Sequence, residues 1–321
     1  MFKVSVILPC YNKESMISKT LDSLINQTIF KYLDIICIDD CSTDNTINII
    51  NKYAFKYINI RLIKNNINKG TYMCRKIGNI AAKANFIGFV DPDDWVESSY
   101  FEELYNKAIN NNANIVITKS VKIYYGENKI KKHTYCCPDM NDDTFYNINP
   151  NMSPGDLYNI HYCWNMLFNR NVLAPYLTLP NARIIYAEDT VLIITSLIHN
   201  GNIFITSTNA SYVYNMSKEV KHESIISNKE DEKNVAKSFS SAWLLIDTYL
   251  MEYNKLEYVP YIKKIRKSGI KKLSDKYAMM FATESFVSKY SHEIINKLTP
   301  EDKQLEAEKI LTYIDYLQIG I

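Results

Sequence analysis

Four short, largely apolar runs, Lys3 to Leu8, Leu33 to Ile38, Ile58 to Ile63 and Phe86 to Val90, constrain this chain more than any other feature. A compact run of β-branched and other apolar residues is how a strand covered on both faces of a parallel sheet reads. Between these runs the apolar residues recur at helical spacing. Met16, Ile17, Leu21, Leu24 and Ile25 mark one face between Lys13 and Asn26, Ile47, Ile50 and Tyr53 mark a second, and Tyr72 to Ala84 forms a third. Such alternation predicts an α/β protein with a Rossmann-like, doubly wound sheet, in which ligands bind beyond the carboxyl ends of the strands. Three polar turns, at 9–14, 39–44 and 91–94, fall at such ends. Chemistry is therefore expected along one edge of the sheet.

Ser98 to Asn111 reads as a helix whose early turns carry Glu102 and Glu103 at the positive end of its dipole, and Ile115 to Thr118 reads as a strand. From about Lys119 to Asn159 periodicity is lost, which predicts a loop-rich segment of functional character. Regular pattern returns at Trp164 to Phe168, Asp189 to His199 and Ile203 to Tyr214, and from about Lys229 the sequence is largely helical. Residues 1–112, 113–228 and 229–321 are accordingly expected to form a nucleotide-binding half, an acceptor-binding half and a helical C-terminal region.

Composition narrows the class. With 37 Lys and Arg against 35 Asp and Glu, the formal net charge is +2, so nothing in the whole-protein charge points to nucleic acid. The cysteines, Cys10, Cys37, Cys41, Cys74, Cys136, Cys137 and Cys163, show no CxxC spacing, which indicates thiols in a reducing cytoplasm rather than disulfides or a zinc site. Val4 to Leu8 is too short for a secretory leader, and Val191 to Ile198, broken by Thr195 and Ser196, is too short to span a bilayer. A cytoplasmic protein, at most peripheral on the inner face of the plasma membrane, is expected.

Asp91-Pro92-Asp93-Asp94 places three carboxylates in four residues directly after the fourth apolar run. Clustered carboxylates repel, and a hard divalent cation with its preference for oxygen ligands relieves that repulsion. A solvated acidic turn is the alternative, and the position at the end of a buried strand favours the metal. Asp39 ends the second strand, Ser42 or Thr43 is placed to cap the next helix, and Asp40 is placed to accept hydrogen bonds from a base or ribose. Neither G-x-G-x-x-G nor G-x-x-x-x-G-K occurs near the first strand, so phosphates would be neutralised by a metal and by Lys69 and Arg75.

Val4 to Glu14, Ile38 to Thr46, Asn68-Lys69-Gly70 with Arg75 and Gly78, and Phe89 to Trp95 resemble, in order and spacing, the successive blocks of the family 2 glycosyltransferases. The match covers residues 3–112. A weaker one continues through Trp164-Asn165, Ala187-Glu188-Asp189 and Tyr212 to Asn215, and is similar to bacterial enzymes that build lipooligosaccharide or capsule. The resemblance implies a GT-A fold, a UDP-sugar donor (galactose or N-acetylgalactosamine), an oligosaccharide or lipid-linked glycan acceptor, and Mn²⁺ or Mg²⁺. It implies that Pro9, Tyr11, Asn12 and Glu14 line the donor site and that Asp40 accepts from the uracil. Arg75 would lie near the ribose or diphosphate. Asp91 and Asp93 would form the D-x-D element, with Asp93 the first choice for the metal and Asp94 the second. Asp189 matches the general base of inverting members. His161, Trp164 and Glu188 fall in the acceptor region, although Trp164 reads equally well as core, and His222 is placed to reach the diphosphate from a loop. Three positions depart from the pattern: Cys41 stands for a frequent Gly, Lys76 for Asn and Met166 for Lys.

A nucleotidyltransferase and a non-catalytic binding protein of the same fold remain open on sequence alone. Lys263 to Lys276, with seven basic residues among Ile262, Ile265, Ile270 and Leu273, reads either as a helix that rests on anionic lipid or as one with a solvated lysine face. A homo-oligomer is compatible with the chain.

Overall fold

The computed structural model describes residues 1–127, 129–134, 141–148, 150, 162–200, 202–217, 229–262 and 265. His161, His222 and, apart from Ile262 and Ile265, the basic stretch near Lys267 lie outside the described residues. The chain divides into two compact units, Met1–Ile265 and Arg266–Ile321, and every described residue belongs to the first.

The first apolar run becomes β1 (Val4–Cys10), buried along its whole length at the centre of an eight-stranded sheet. Its neighbours are β2 (Leu33–Asp39) and β4 (Phe86–Phe89), both parallel, with Val4 opposite Leu33 and Phe86; β3 (Ile60–Lys64) pairs parallel beyond β2. The helices between them are α1 (Ile17–Ile25), α2 (Thr46–Lys56) and α3 (Thr71–Ala81), and α3 packs on β1 and β2. Beyond β4 the sheet becomes mixed. After β5 (Trp95–Val96) come α4 (Tyr100–Asn110), β6 (Ile115–Thr118), β7 (Ser120–Tyr124), β8 (Ile130–Thr134), β9 (Thr144–Asn147) and β10 (Met166–Asn169). Then follow α5 (Ala174–Thr178), α6 (Glu188–Asn200), β11 (Asn202–Thr206), β12 (Tyr212–Asn215) and α7 (Lys229–Glu252). β10 runs antiparallel between β4 and β6, giving the order β3-β2-β1-β4-β10-β6-β11-β9. A second sheet, β5-β12-β7-β8, lies beside the D-x-D turn. The mixed α/β sheet predicted from the sequence is the one formed.

Three details differ from the sequence reading. The segment 119–159 is not all loop, since it supplies β7, β8 and β9. Of these, β8 and β9 are edge strands and lack the two-faced apolar pattern by which buried strands announce themselves. α1 starts at Ile17 rather than near Lys13; residues 13–16 form a turn that leads into it, with the Lys13 carbonyl accepting from the Met16 and Ile17 amides and the Lys13 and Glu14 amides donating to Thr46 Oγ1 and Asp44 Oδ2. Neither Ser42 nor Thr43 caps α2; Asn45 stands at its start, and Asp44 Oδ1 accepts from the Thr46 amide at 3.0 Å. The helix α7 packs on α6 within the first compact unit. Cys10, Cys37, Cys41, Cys74 and Cys163 are free thiols, and among the described residues no helix is long and apolar enough to cross a membrane.

Candidate active site

The turns after β1 and β2 are sewn to each other. Asn12 donates its amide to Ser42 Oγ and accepts through Oδ1 from the Thr43 amide at 2.8 Å, while Glu14 Oε2 accepts from the Asn45 amide at 2.8 Å. Asn12 and Glu14, expected to line the donor site, thus spend these groups on holding the two turns together. Pro9 lies within β1, and Tyr11 beside it is 46% exposed, a ring presented at the carboxyl end of the strand.

Asp40 is buried. Its Oδ1 accepts from Asn65 Nδ2 at 2.9 Å and the Lys69 amide at 2.8 Å, and its Oδ2 accepts from the Gly70 amide at 2.8 Å. Three of the roughly four acceptor positions of a carboxylate are filled, so one remains for a ligand. Asp40 therefore shapes the 65–70 loop. Gly70 has φ +83°, and a Cβ there would come within 2.8 Å of Ile184 O, so only glycine fits where the loop meets the later half of the fold.

Cys41 stands in the left-handed region with φ 68°, the conformation for which glycine is suited. The departure from glycine therefore costs backbone strain. Cys41→Gly is expected to stabilise the protein by about 0.5–1 kcal/mol, because the relieved strain exceeds the entropy that glycine adds to the unfolded chain. Urea unfolding of the two proteins checks this, and an unchanged or lower midpoint counts against it.

The D-x-D turn is fixed from the second sheet. Tyr212 Oη donates to Asp94 Oδ2 at 2.7 Å and accepts from the Asp91 amide at 3.1 Å; the Asn215 amide donates to Asp94 Oδ1 at 2.8 Å. Thr20 Oγ1 donates to the carbonyls of Pro92 and Asp94. Both carboxylate oxygens of Asp94 are taken up and the residue is buried, so its place is to anchor the turn. Asp91 and Asp93 are the partly exposed pair. Lys13 Nζ lies 3.0 Å from Asp93 Oδ2, and Arg75 Nη2 lies 3.1 Å from Asp91 Oδ1.

Arg75 ties this turn to the residues before α6. Its side chain is 2% exposed; Nη1 donates to Glu188 Oε1 at 2.8 Å and to Asp189 Oδ1, while Nη2 serves Asp91. Burial opposes its charge, but Asp189, Cys163, Glu188 and Asp91 outweigh that and keep the guanidinium firmly protonated. Burial pushes the carboxyls of Asp91, Glu188 and Asp189 above their ordinary range, with Arg75 pulling against the shift in each case. The resemblance places Arg75 near the ribose or diphosphate; in the structure its donors point to three carboxylates. Cys163 Sγ donates to Asp189 Oδ1 at 3.2 Å, so the Arg75 guanidinium and the Cys163 thiol both engage one oxygen of this carboxylate. Ala187, just before this pair, has φ 63°, a strained residue at the mouth of the helix.

Trp164 belongs to the core. It is 2% exposed, stacks on Tyr212 with centroids 4.4 Å apart and on Tyr162 at 5.1 Å, and its carbonyl accepts from Tyr100 Oη. A sugar has no access to its face. Lys76 is a structural residue too, donating to the Leu179 carbonyl and to Asn181 Oδ1 at 3.0 Å. Met166 is buried in β10. Lys13, Cys163, Tyr212 and Asn215 are the participants to which sequence reasoning gave no role. Lys13, in the block Val4 to Glu14, and Tyr212 and Asn215, in the block Tyr212 to Asn215, carried a signal only through the motif match, and Cys163 carried none.

Asp91 and Asp93 suit a hard divalent cation. Each gives one oxygen to a basic side chain and keeps the other. Among the described residues no three His, Cys, Asp or Glu side chains converge on a point. An ion held by two carboxylates and completed by substrate phosphate and water is the common magnesium pattern.

The model of Glycosyl transferase family 2 matches residues 5–176, more than half of the chain. The chain belongs to glycosyl transferase family 2. Family 2 relatives include a poly(ribitol-phosphate) beta-glucosyltransferase of Bacillus spizizenii, 40% identical over 119 residues, which are 36% of this chain and 19% of that protein. The uncharacterized glycosyltransferase EpsJ of Bacillus subtilis is 32% identical over 193 residues, 58% of this chain and 54% of that protein. The poly(ribitol-phosphate) beta-N-acetylglucosaminyltransferase TarP of Staphylococcus aureus is 35% identical over 122 residues, 37% of each. The matched stretch thus spans from about a fifth to about half of these relatives' length. The crystal structure of S. aureus TarS 1–349 in complex with UDP superposes with a TM-score of 0.56 at 19% identity, covering 94% of this chain and 77% of that one. That likeness establishes the shared fold.

Proposed function

We propose that this chain is a metal-dependent, inverting glycosyltransferase that moves a hexose from a UDP-sugar to a glycan acceptor in bacterial surface-polymer synthesis, at the cytoplasmic side of the membrane. One observation carries the reading. Arg75 gathers Asp91 of the D-x-D turn and the Glu188-Asp189 pair, residues about a hundred positions apart, at one end of the sheet. A leaving-group site and a base site on one crevice are what sugar transfer requires.

Asp93 and Asp91 would hold Mn²⁺ or Mg²⁺, which supplies Lewis-acid stabilisation of the departing diphosphate. Tyr11 and Asp40 face the nucleoside, the latter through its remaining acceptor position, with Pro9 at the floor of the same end. The Asp189 carboxylate takes the proton of the acceptor hydroxyl as that oxygen attacks the anomeric carbon and the UDP leaves from the opposite face, so a single in-line displacement inverts the configuration. Glu188, 13% exposed and paired with Arg75, stands beside the acceptor. The names of the relatives speak for surface polymers, and the TarS complexes with UDP and UDP-GlcNAc speak for a uridine donor. Family membership and the absence of a Gly-rich phosphate loop speak against a nucleotidyltransferase.

The test is a screen of UDP-glucose, UDP-N-acetylglucosamine, UDP-galactose and UDP-N-acetylgalactosamine for UDP release with Mn²⁺. One donor is expected to be turned over, with a loss of roughly 100-fold on EDTA and recovery on Mn²⁺ or Mg²⁺, since metal assistance supplies several kcal/mol. Turnover indifferent to EDTA removes the metal from the reading. No turnover and no UDP binding by calorimetry remove the reading itself.

A further inference from the structure

The edge of the large sheet opposite the candidate site has an unusual surface. Phe55, near the end of α2, and Ile58, in the turn before β3, are 97% and 98% exposed. Water-exposed large apolar side chains are unremarkable singly; here two stand three residues apart on one corner. Around them lies a layer of aromatic rings capped by lysines. Lys56 Nζ sits 5.0 Å above the Tyr57 ring, Lys31 Nζ 4.9 Å above Tyr32, and Phe30 meets Tyr57 edge-on at 5.4 Å. Lys52 is exposed on the same helix end. The parallel register puts these groups on one edge, because Lys31 and Ile58 each directly precede a strand of the sheet. Of the acids recorded around them, Asp34 is buried and paired with Arg61, and Asp22 accepts from Tyr53 Oη at 2.7 Å.

We infer that this corner is a docking surface for an anionic lipid bilayer, with Phe55 and Ile58 inserted among the headgroups and Lys31, Lys52 and Lys56 on the lipid phosphates. Rings that stand at headgroup depth, lysines whose stems lie on those rings, and protruding apolar tips are the side chains that an interface of this kind holds. The lysines supply the charge complementarity; a protein partner of neutral surface would leave them unanswered. The geometry has a consequence for the acceptor. β1 runs seven residues from this edge to the candidate site, about 20 Å at the rise of a strand, so a bilayer here leaves the crevice facing away from lipid and open to the distal end of a long glycan chain.

Sedimentation of the full chain with vesicles tests this without reference to enzymatic activity, so its failure leaves the proposed transfer reaction untouched. The protein is expected to sediment with phosphatidylserine-containing vesicles, weakly with phosphatidylcholine alone, and less as salt rises. The double change Phe55→Ser with Ile58→Ser is expected to lower the bound fraction on the order of tenfold, as is Lys31→Gln with Lys52→Gln and Lys56→Gln. Circular dichroism spectra superposable on that of the parent show that fold is retained. Binding that survives both sets but is lost on changing Lys263, Lys264, Lys267 and Lys271 to Gln overturns the inference. So does a serine pair that leaves vesicle binding intact and converts a dimer to a monomer by light scattering, since the corner would then be a contact between copies.

Discussion

Arg75→Ala is expected to destabilise the protein by about 3–5 kcal/mol, the usual cost of removing one partner from a buried ionic cluster. Among the described residues Arg75 is the one basic group paired with Asp91, Glu188 and Asp189, and its side chain is almost wholly buried. Without it three carboxyls face one another in a poorly solvated site. The pH dependence has a definite sign. Burial already holds these carboxyls above their ordinary range, so the stability they contribute is fully present below their unfolded values and is lost as pH rises through the folded ones. Loss of the guanidinium raises the folded values further and extends that window upward. The gap between Arg75→Ala and the parent should therefore be widest near neutral pH and narrow as pH falls toward 5. Arg75→Lys keeps the charge but not the fork that serves three partners, and should fall between the two. Urea unfolding of all three proteins at pH 7 and pH 5 checks this. A pH-independent gap, or one under about 1 kcal/mol, would mean that Arg75 is not what holds the cluster.

The parallel half of the fold was legible because its central strands β1, β2 and β4 are buried on both faces and are therefore largely apolar. The strands that were missed had no such obligation. β8, with Lys131, Lys132 and His133, is an edge strand whose side chains need not alternate. The geometry of the candidate site was legible where one short motif brings its residues together, as at the partly exposed Asp91 and Asp93. It was not legible where a role depends on a partner far along the chain. Asp94 and Asp93 look alike in sequence, and it takes the phenol of Tyr212 and the amide of Asn215, 118 and 121 residues later, to make one an anchor while the other stays partly exposed. Trp164 could be assigned either way until its stacking on Tyr212 placed it in the core. Asn12 and Glu14 sit in a block expected to line the donor site, yet their hydrogen bonds join two turns.

Asp189→Asn should lower sugar transfer by about 10²–10⁴-fold, the range over which a positioned general base contributes, measured with whichever donor the nucleotide-sugar screen identifies. The substitution keeps the shape of the side chain, and its amide oxygen can still accept from Arg75 and Cys163. What it removes is a carboxylate basic enough to take a proton. Stability argues in the same direction. One guanidinium faces three carboxyls, so neutralising one of them relieves repulsion, and the melting temperature should hold or rise. A loss of activity would then owe nothing to unfolding. UDP affinity should stay within about threefold, because the proposed reading assigns the nucleotide to Tyr11 and Asp40 rather than to α6. Glu188→Gln separates the two neighbours: it loses the same charge beside Arg75, but transfer should fall far less. If Glu188→Gln abolishes transfer while Asp189→Asn spares it, the base is Glu188. If both variants retain activity, the proton leaves by a route in which neither carboxylate takes part, and the inverting displacement drawn around Asp189 fails.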